Sequence, residues 1–507
     1  MDFRRRRRRG PRRLAVLAVL AVLLVAGKLL FDRYTTTVSG TVVDEYTGQA
    51  VSGATVQWEQ LTSVASEKGE FQLVGVERSS PNKQLTVSLD GYEAANVEIG
   101  WGEQEVLLRP NVLSGKVEGP GKEAVANAWV TIGQTEVMTD ASGAFRLDDV
   151  PRDPNVAVGA PGYRPIVLQP EKKLSLEVRL ESLVSRGLYI GFGYLNQSGL
   201  REAMIRKGKD LGLNTLVIDV KSDRGIVHTA LAPELAKQAG STTPHPEDLP
   251  ELLRGLRNQN WYLIARVVVF KDTPIATENP EIAIRSGGSL YVDCEGQRWL
   301  DPYNENAWEY NLALSERAAA LGFHEVQFDY VRFPTDCVRG QLGYAQENSP
   351  ENQQKAIEGF LKAARKRLHP LGVTISADVY GLTTVEEDIG IGQVIEGIAA
   401  QVDYVSPMVY PSTWRAGSFS SDYPPAEPYR IVNLSVKRAV DRLKDYGAKV
   451  RPWLQAYDDY QRRNLPYGHD EILAQIDASR EAGAQGWLLW DPFGDYPIRG
   501  SIALGSR

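Results

Sequence analysis

The chain has 507 residues, 43% of them hydrophobic, which is material for two to four domains with packed cores. Its formal charge of -7 is uneven: residues 1–13 hold eight Arg against one Asp, leaving -14 for residues 14–507. So acidic a body argues against nucleic acid as a partner. The five His (His228, His245, His324, His369 and His469) lack the paired spacing of a metal hydrolase.

The eight arginines precede Leu14–Gly27, an unbroken apolar run of fourteen residues that resumes after Lys28 with Leu29, Leu30 and Phe31. Basic residues stay on the cytoplasmic side, so residues 1–37 are expected to be a basic cytoplasmic segment and an uncleaved transmembrane signal anchor. The later domains are then extracytoplasmic. A cleaved signal peptide and release of the protein is the alternative.

Residues 38–182 contain a duplication. Gly40, Gly53, Gly69-Glu70-Phe71 and Gly91-Tyr92 recur as Gly115, Asn127, Gly143-Ala144-Phe145 and Gly162-Tyr163 at offsets of 75, 74, 74 and 71. Short alternating runs such as Thr55–Trp58 and Ala128–Ile132, punctuated by Gly and Asp, predict two small antiparallel β-sandwiches, over 38–110 and 111–182. The runs Val38-Ser39-Gly40-Thr41-Val42, Ala50-Val51-Ser52-Gly53-Ala54-Thr55-Val56 and Thr139–Leu147 resemble the carboxypeptidase regulatory-like β-sandwich. That resemblance implies spacer modules without chemistry of their own.

From Gly187 apolar runs alternate with helical patterns. The strands predicted are Leu188–Phe192, Thr215–Val220, Tyr262–Val269, Glu325–Phe333, Val373–Val379, Tyr404–Val409, Val450–Ala456 and Gly486–Trp490. Helices are expected at Leu200–Leu211, Leu249–Asn258, Ala307–Leu321, Asn352–Leu368, Val436–Tyr446 and Asp470–Glu481. Eight buried strands with crossover helices suit a (β/α)8 TIM barrel over 187–507. No Gly-rich phosphate fingerprint follows the first strand, and no Gly-x-Ser-x-Gly elbow follows any.

Polar residues near the C-terminal strand ends face the working rim of such a barrel. They are Asp219 and Lys221, Arg266, Gln327 with Asp329 and Arg332, Asp378, Tyr410, Gln455, and Trp490 with Asp491. Acids and amides hydrogen-bond sugar hydroxyls, while aromatic faces cover a pyranose ring, and Tyr410, Trp414, Trp453 and Trp490 are candidates for stacking. Asp329 and Asp378 end neighbouring strands, about 4.8 Å apart. Their carboxyl groups are expected about 5–9 Å apart, a range that covers retaining and inverting glycoside hydrolysis. Asp219 is the rival second acid. An ion pair of Asp329 with Arg266, Arg332 or Lys221 that only fixes the barrel mouth is the competing account.

The runs Leu216–Lys221, Gln327–Pro334, Ile375–Gly381, Tyr404–Pro411, Arg451–Gln455 and Gly486–Trp490 resemble a family of bacterial barrel domains of the glycoside hydrolase type, known mainly as a domain of unknown function. The resemblance implies a TIM barrel similar to other barrel glycosidases that use acids at the ends of the fourth and fifth strands, but not a substrate; the reading made from the residues is hydrolysis of a polysaccharide with no cofactor or metal. A barrel that binds a polysaccharide or scaffolds the envelope without cutting is the alternative. In the loop after the third strand, Ser289–Val292 and Gln297–Leu300 flank Cys294 like a hairpin. A clip to Cys337 and two free thiols both fit the spacing.

Overall fold

The computed structural model of the protein describes residues 10–502 except 101, 173, 245, 247, 336, 337, 339, 340 and 462. Proximity along and across the chain divides it into two compact units. One holds Met1–Gly115, Arg146–Pro154 and Pro170–Leu176, and the other Lys116–Phe145, Asn155–Gln169 and Glu177–Arg507.

An N-terminal helix spans Gly10–Tyr34. Among the described residues no helix is long and apolar enough to cross a membrane, so the expected anchor is not borne out. Residues 1–9 lie outside the described residues.

The duplication survives as topology. In the first repeat, Thr35–Asp44 lies between Glu70–Glu77 and Glu103–Leu108, and a second sheet runs Leu61–Val64, Thr55–Trp58, Gln84–Ser88, Ala95–Glu98. The second repeat has the same order, with Leu113–Glu118 between Ala144–Leu147 and Ser175–Arg179, beside Thr135–Met138, Trp129–Ile132, Val156–Gly159, Ile166–Leu168. The sheets are not wholly antiparallel as expected, because Thr35–Asp44 pairs in parallel with Glu103–Leu108. The recurring Gly-x-Phe has a steric cause. Gly69 and Gly143 take φ of +77° and +75°, and a Cβ there would sit 2.4 and 2.5 Å from the carbonyl oxygens of Val42 and Val117. Phe71 and Phe145 two residues on are buried.

The second unit contains a closed ring of eight parallel strands. These are β1 (Ser185–Ile190), β2 (Thr215–Lys221), β3 (Tyr262–Val268), β4 (Glu325–Asp329), β5 (Thr374–Tyr380), β6 (Tyr404–Met408), β7 (Trp453–Gln455) and β8 (Gly486–Trp490). β1 pairs with both β2 and β8, which closes the barrel. Between successive strands run α1 (Ser198–Asp210), α2 (Leu249–Asn258), α3 (Glu305–Leu321), α4 (Pro350–Leu368), α5 (Ile395–Ala399), α6 (Pro428–Arg442) and α7 (His469–Glu481). Strands walled by side chains inside and helices outside are buried on both faces, which is why β2 and β3 are buried at every residue. β7 is shorter than predicted. Pro452 lacks an N–H for the ladder and separates it from the short strand Lys449–Val450.

The floor of the barrel is a buried polar layer. Arg451 pairs with Glu325, which also accepts from the Tyr262 hydroxyl at 3.0 Å and from the Ser376 hydroxyl.

Outside the floor, still within the second unit, His369 follows α4. Its Nδ1 meets Glu136 Oε2 at 2.7 Å and its Nε2 meets Asp403 Oδ2 at 3.0 Å. The Trp129 ring stacks on it at 4.2 Å and donates its indole N–H to Asp403. Arg365 also pairs with Glu136, and the Ile375 amide donates to Asp403. Burial opposes the imidazolium, yet the two carboxylates outweigh it and the His369 pKa lies above its ordinary value. A raised folded-state pKa means stabilisation that is full below about 6.5, the unfolded value, and lost as pH rises through the folded one. The thermal midpoint of His369→Gln is therefore expected to fall below that of the natural protein by on the order of 2 kcal/mol equivalent at low pH. The gap should shrink steadily toward alkaline pH. A gap independent of pH would refute the charged state.

Candidate active site

The acids stand where the strand register puts them. Gln327 pairs with Ser376 and Phe328 with Ala377, so Asp329, the last residue of β4, stands beside Asp378, two residues before the end of β5. β4 stops at Asp329, earlier than predicted, because Tyr330 takes φ of +49°. That conformation costs a non-glycine residue roughly 1–3 kcal/mol. It also aims the Tyr330 amide at Asp329 Oδ1, at 2.7 Å.

Arg266, one strand over on β3, organises the acids. Its Nε donates to Asp329 Oδ2 at 3.0 Å, joined by Nη2, and its Nη1 donates to Asp219 Oδ1 at 2.7 Å. The guanidinium also lies 5.1 Å from the Trp490 ring centroid and 5.6 Å from that of Tyr189. Tyr189 stacks on Trp490 at 4.2 Å and donates its hydroxyl to Asp219. The competing account of Asp329 thus holds in part, since it has an ion pair and Arg266 is the partner.

Asp378 sits in different surroundings. Its Oδ1 accepts the Trp453 indole N–H at 2.8 Å. Burial, and then the negative charge of Asp329, push its pKa well above the usual carboxylate range, against the opposing pull of Arg266 and Trp453. The Asp219 pKa is also raised by burial, with Arg266 and the Tyr189 hydroxyl working against the rise.

A cleft of ≈ 700 Å³, counted to its open mouth, is lined by Arg266, Asp329, Tyr330, Arg332, Asp378, Tyr380, Gln393, Met408, Tyr410, Trp453 and Trp490. Six of the residues read from strand ends therefore face it: Arg266, Asp329, Arg332, Asp378, Tyr410 and Trp490. Arg332 lies 4.9 Å over Trp299 and 5.5 Å over Tyr330. Asp219 lies behind Arg266 and holds it.

Four expected residues are elsewhere. A register shift between Asp219 and Lys221 turns Lys221 away from the cleft. It reaches Asp272 at 2.8 Å and the Asn311 amide oxygen on α3 at 2.9 Å. Gln327 is a layer deeper in the barrel, fully buried, with its Nε2 on the Ser406 hydroxyl at 3.3 Å. Gln455 ties down the loop after β6, donating to the Ser412 hydroxyl at 2.8 Å and accepting from the Ser412 amide at 3.0 Å. Asp491 accepts the amides of Phe493, Asp495 and Tyr496 and shapes the loop after β8. Trp414 is buried against Phe419 and does not line the cleft.

Two residues without a polar strand-tip signal also shape the site. Tyr189, which reads as one more apolar residue of β1, backs Trp490 and Asp219. Gln393 comes from the loop after β5, accepting the Tyr380 amide and donating to the carbonyls of Asp378 and Val331. Gly381 lets that loop close down, since a Cβ there would meet the Met408 carbonyl oxygen at 2.3 Å.

The expected hairpin forms one strand earlier. Arg285–Ser286 pairs with Ser289–Leu290 around Gly287-Gly288, and Cys294 sits in the turn closed by the Asp293 amide on the Gln297 carbonyl. Cys294 is disulfide-bonded, and Cys337 lies outside the described residues. Among the described residues no group of three His, Cys, Asp or Glu could hold a metal ion.

No curated protein matches the chain. Similar solved structures include a hypothetical protein from Ruminiclostridium thermocellum, 28% identical over 38% of this chain and 97% of that one, TM-score 0.34. The glycoside hydrolase domain of PgaB (BpsB) from Bordetella bronchiseptica is 13% identical over 62% and 95%, TM-score 0.44. That of PelA from Pseudomonas aeruginosa is 13% identical over 63% and 98%, TM-score 0.37. Residues 187–496 match the family described as "Putative glycosyl hydrolase domain". That match spans more than half of the chain and the barrel whose mouth holds these acids, and the protein belongs to that family.

Proposed function

We propose that the barrel hydrolyses glycosidic bonds of a polysaccharide outside the cytoplasm, with Asp378 as the acid and Asp329 as its carboxylate partner. The observation that carries this reading is the contrast between the two groups. One carboxyl is buried against an indole with its pKa raised, and its neighbour on the next strand accepts from a guanidinium. The glycosidic C–O bond breaks with its electron pair going to oxygen, which takes the Asp378 proton. Asp329 supports the positive charge that develops at the anomeric carbon. Water then adds hydroxide to that carbon and returns a proton to the pair. Trp490, Trp453 and Tyr410 offer ring faces to the sugar, and Arg266 and Arg332 offer donors.

Export is supported by the arginines that precede the apolar N-terminal run. The two repeats serve as spacers of the carboxypeptidase regulatory-like kind, a reading supported by their shared Gly-x-Phe positions and strand order. The test is incubation of the purified protein with envelope and secreted polysaccharides, with detection of new reducing ends. Asp329→Asn is expected to lose at least about a hundredfold of the activity found. Unchanged hydrolysis would remove Asp329 from the mechanism.

A second reading is favoured by the Arg266 bridge between Asp219 and Asp329, which can serve purely to hold the mouth in shape. The barrel would then bind a glycan without cutting it. Retention of a polysaccharide with no new reducing ends would select this reading.

A further inference from the structure

Aromatic residues continue out of the cleft. Tyr410, beside the acids, packs edge-on against Tyr457 in the loop after β7, with ring centroids 5.9 Å apart. Tyr457 in turn lies parallel to Tyr460, at 6.3 Å and 10°. Tyr460 is 63% exposed, and Tyr380, at the end of β5 and on the cleft wall, is 44% exposed. The two are neighbours. After burial, the Tyr380 phenol is the largest influence raising the Tyr460 pKa.

Two large rings left in water at the edge of a polar cleft cost hydration free energy that packing inward would recover. The Tyr460 backbone is held in place. Asp459, adjacent to Tyr460, accepts from the Ser412 hydroxyl, the Tyr423 hydroxyl and the Gln461 amide, and donates its own amide to the Leu465 carbonyl. That lattice fixes the backbone on either side of the exposed ring. A rigid, solvent-facing aromatic next to carboxylates suits a pyranose, whose C–H face packs on the ring while its hydroxyls stay in water.

We propose that Tyr460, backed by Tyr457 and flanked by Tyr380, is a distal subsite that holds a sugar unit of the same polysaccharide chain beyond the unit at the acids. The substrate class is therefore an extended, pyranose-containing polymer and not a disaccharide. This rests on the barrel acting on a glycan, and Tyr460 makes no contribution to bond breaking.

Two measurements separate failure of this subsite from failure of the hydrolytic reading. In the first, the polysaccharide found by the reducing-end screen is cut to a ladder of two to eight sugars, and kcat/KM is measured along it. For Tyr460→Ala the ratio of long-chain to short-chain kcat/KM is expected to fall about five- to tenfold, the loss of one stacking face. Tyr460→Trp should restore it. In the second, native gels cast with carboxymethylcellulose, glycol chitin or soluble peptidoglycan strands report binding whether or not cutting occurs. The natural protein is expected to be retarded in at least one gel and Tyr460→Ala less so. Retarded migration without hydrolysis would overturn the hydrolytic reading and keep the subsite. A chain-length ratio unchanged in Tyr460→Ala, equal retardation of both proteins, or no retardation of the natural protein would overturn the subsite.

Discussion

Asp378→Asn is expected to lose about 10²- to 10⁴-fold in kcat on any glycan the protein cuts, the range for removing a positioned general acid, while binding of that glycan is retained. The change preserves shape, because an Asn Oδ1 still accepts the Trp453 indole N–H that Asp378 accepts at 2.8 Å. The same variant should be more thermally stable than the natural protein near neutral pH. Burial and Asp329 raise the Asp378 pKa, so the folded protein holds this proton more tightly than the unfolded chain does. Folding stability then falls as pH climbs from the ordinary carboxylate range, near 3.9, to the raised value. Asn has no proton to lose and is free of that fall. Activity of the natural protein should decline over the alkaline side of the same window, as the proton it donates is lost. An Asp378→Asn protein that keeps natural activity while Asp219→Asn is inactive would transfer the acid role to Asp219.

The barrel was legible because its strands obey one rule. A strand buried on both faces must be apolar nearly throughout, so each polar residue within one stands out. Asp219, Arg266, Asp329 and Asp378 all stood out this way: the Arg266 guanidinium bonds Asp219 and Asp329, and its charge reaches Asp378. The rule failed where strand geometry stops being regular. Lys221 follows Asp219 by two residues and should share its face, but the register shift between them reverses its side. Gln455 and Asp491 lie where strand becomes loop, and there the backbone's own unpaired groups compete for polar side chains. Tyr189 and Tyr460 were invisible for another reason. An aromatic residue in or just beyond a strand carries the same hydrophobic signature whether it packs in the core or faces a ligand, and only solvent exposure tells them apart.

Lys221→Met provides the sharpest check on that correction. As a sugar ligand at the rim, Lys221 would weaken glycan binding on removal and leave stability almost untouched. As half of a fully buried ion pair with Asp272, both side chains 0% exposed, it should do the reverse. Burial lowers the Lys221 pKa and raises that of Asp272, each opposed by its partner, so each charge depends on the other. Removing one strands the other, at an expected cost of about 3–5 kcal/mol. The measurement is the urea midpoint, with KM taken at a temperature where the variant stays folded. The expected result is a large loss of stability with KM unaltered. Replacing both partners, as in Lys221→Met with Asp272→Leu, should recover most of the loss. It should not recover all, because Asp272 Oδ1 also accepts the Ile275 amide and caps the helix Thr273–Glu278, worth about 1 kcal/mol. A raised KM at unchanged stability would instead return Lys221 to the cleft.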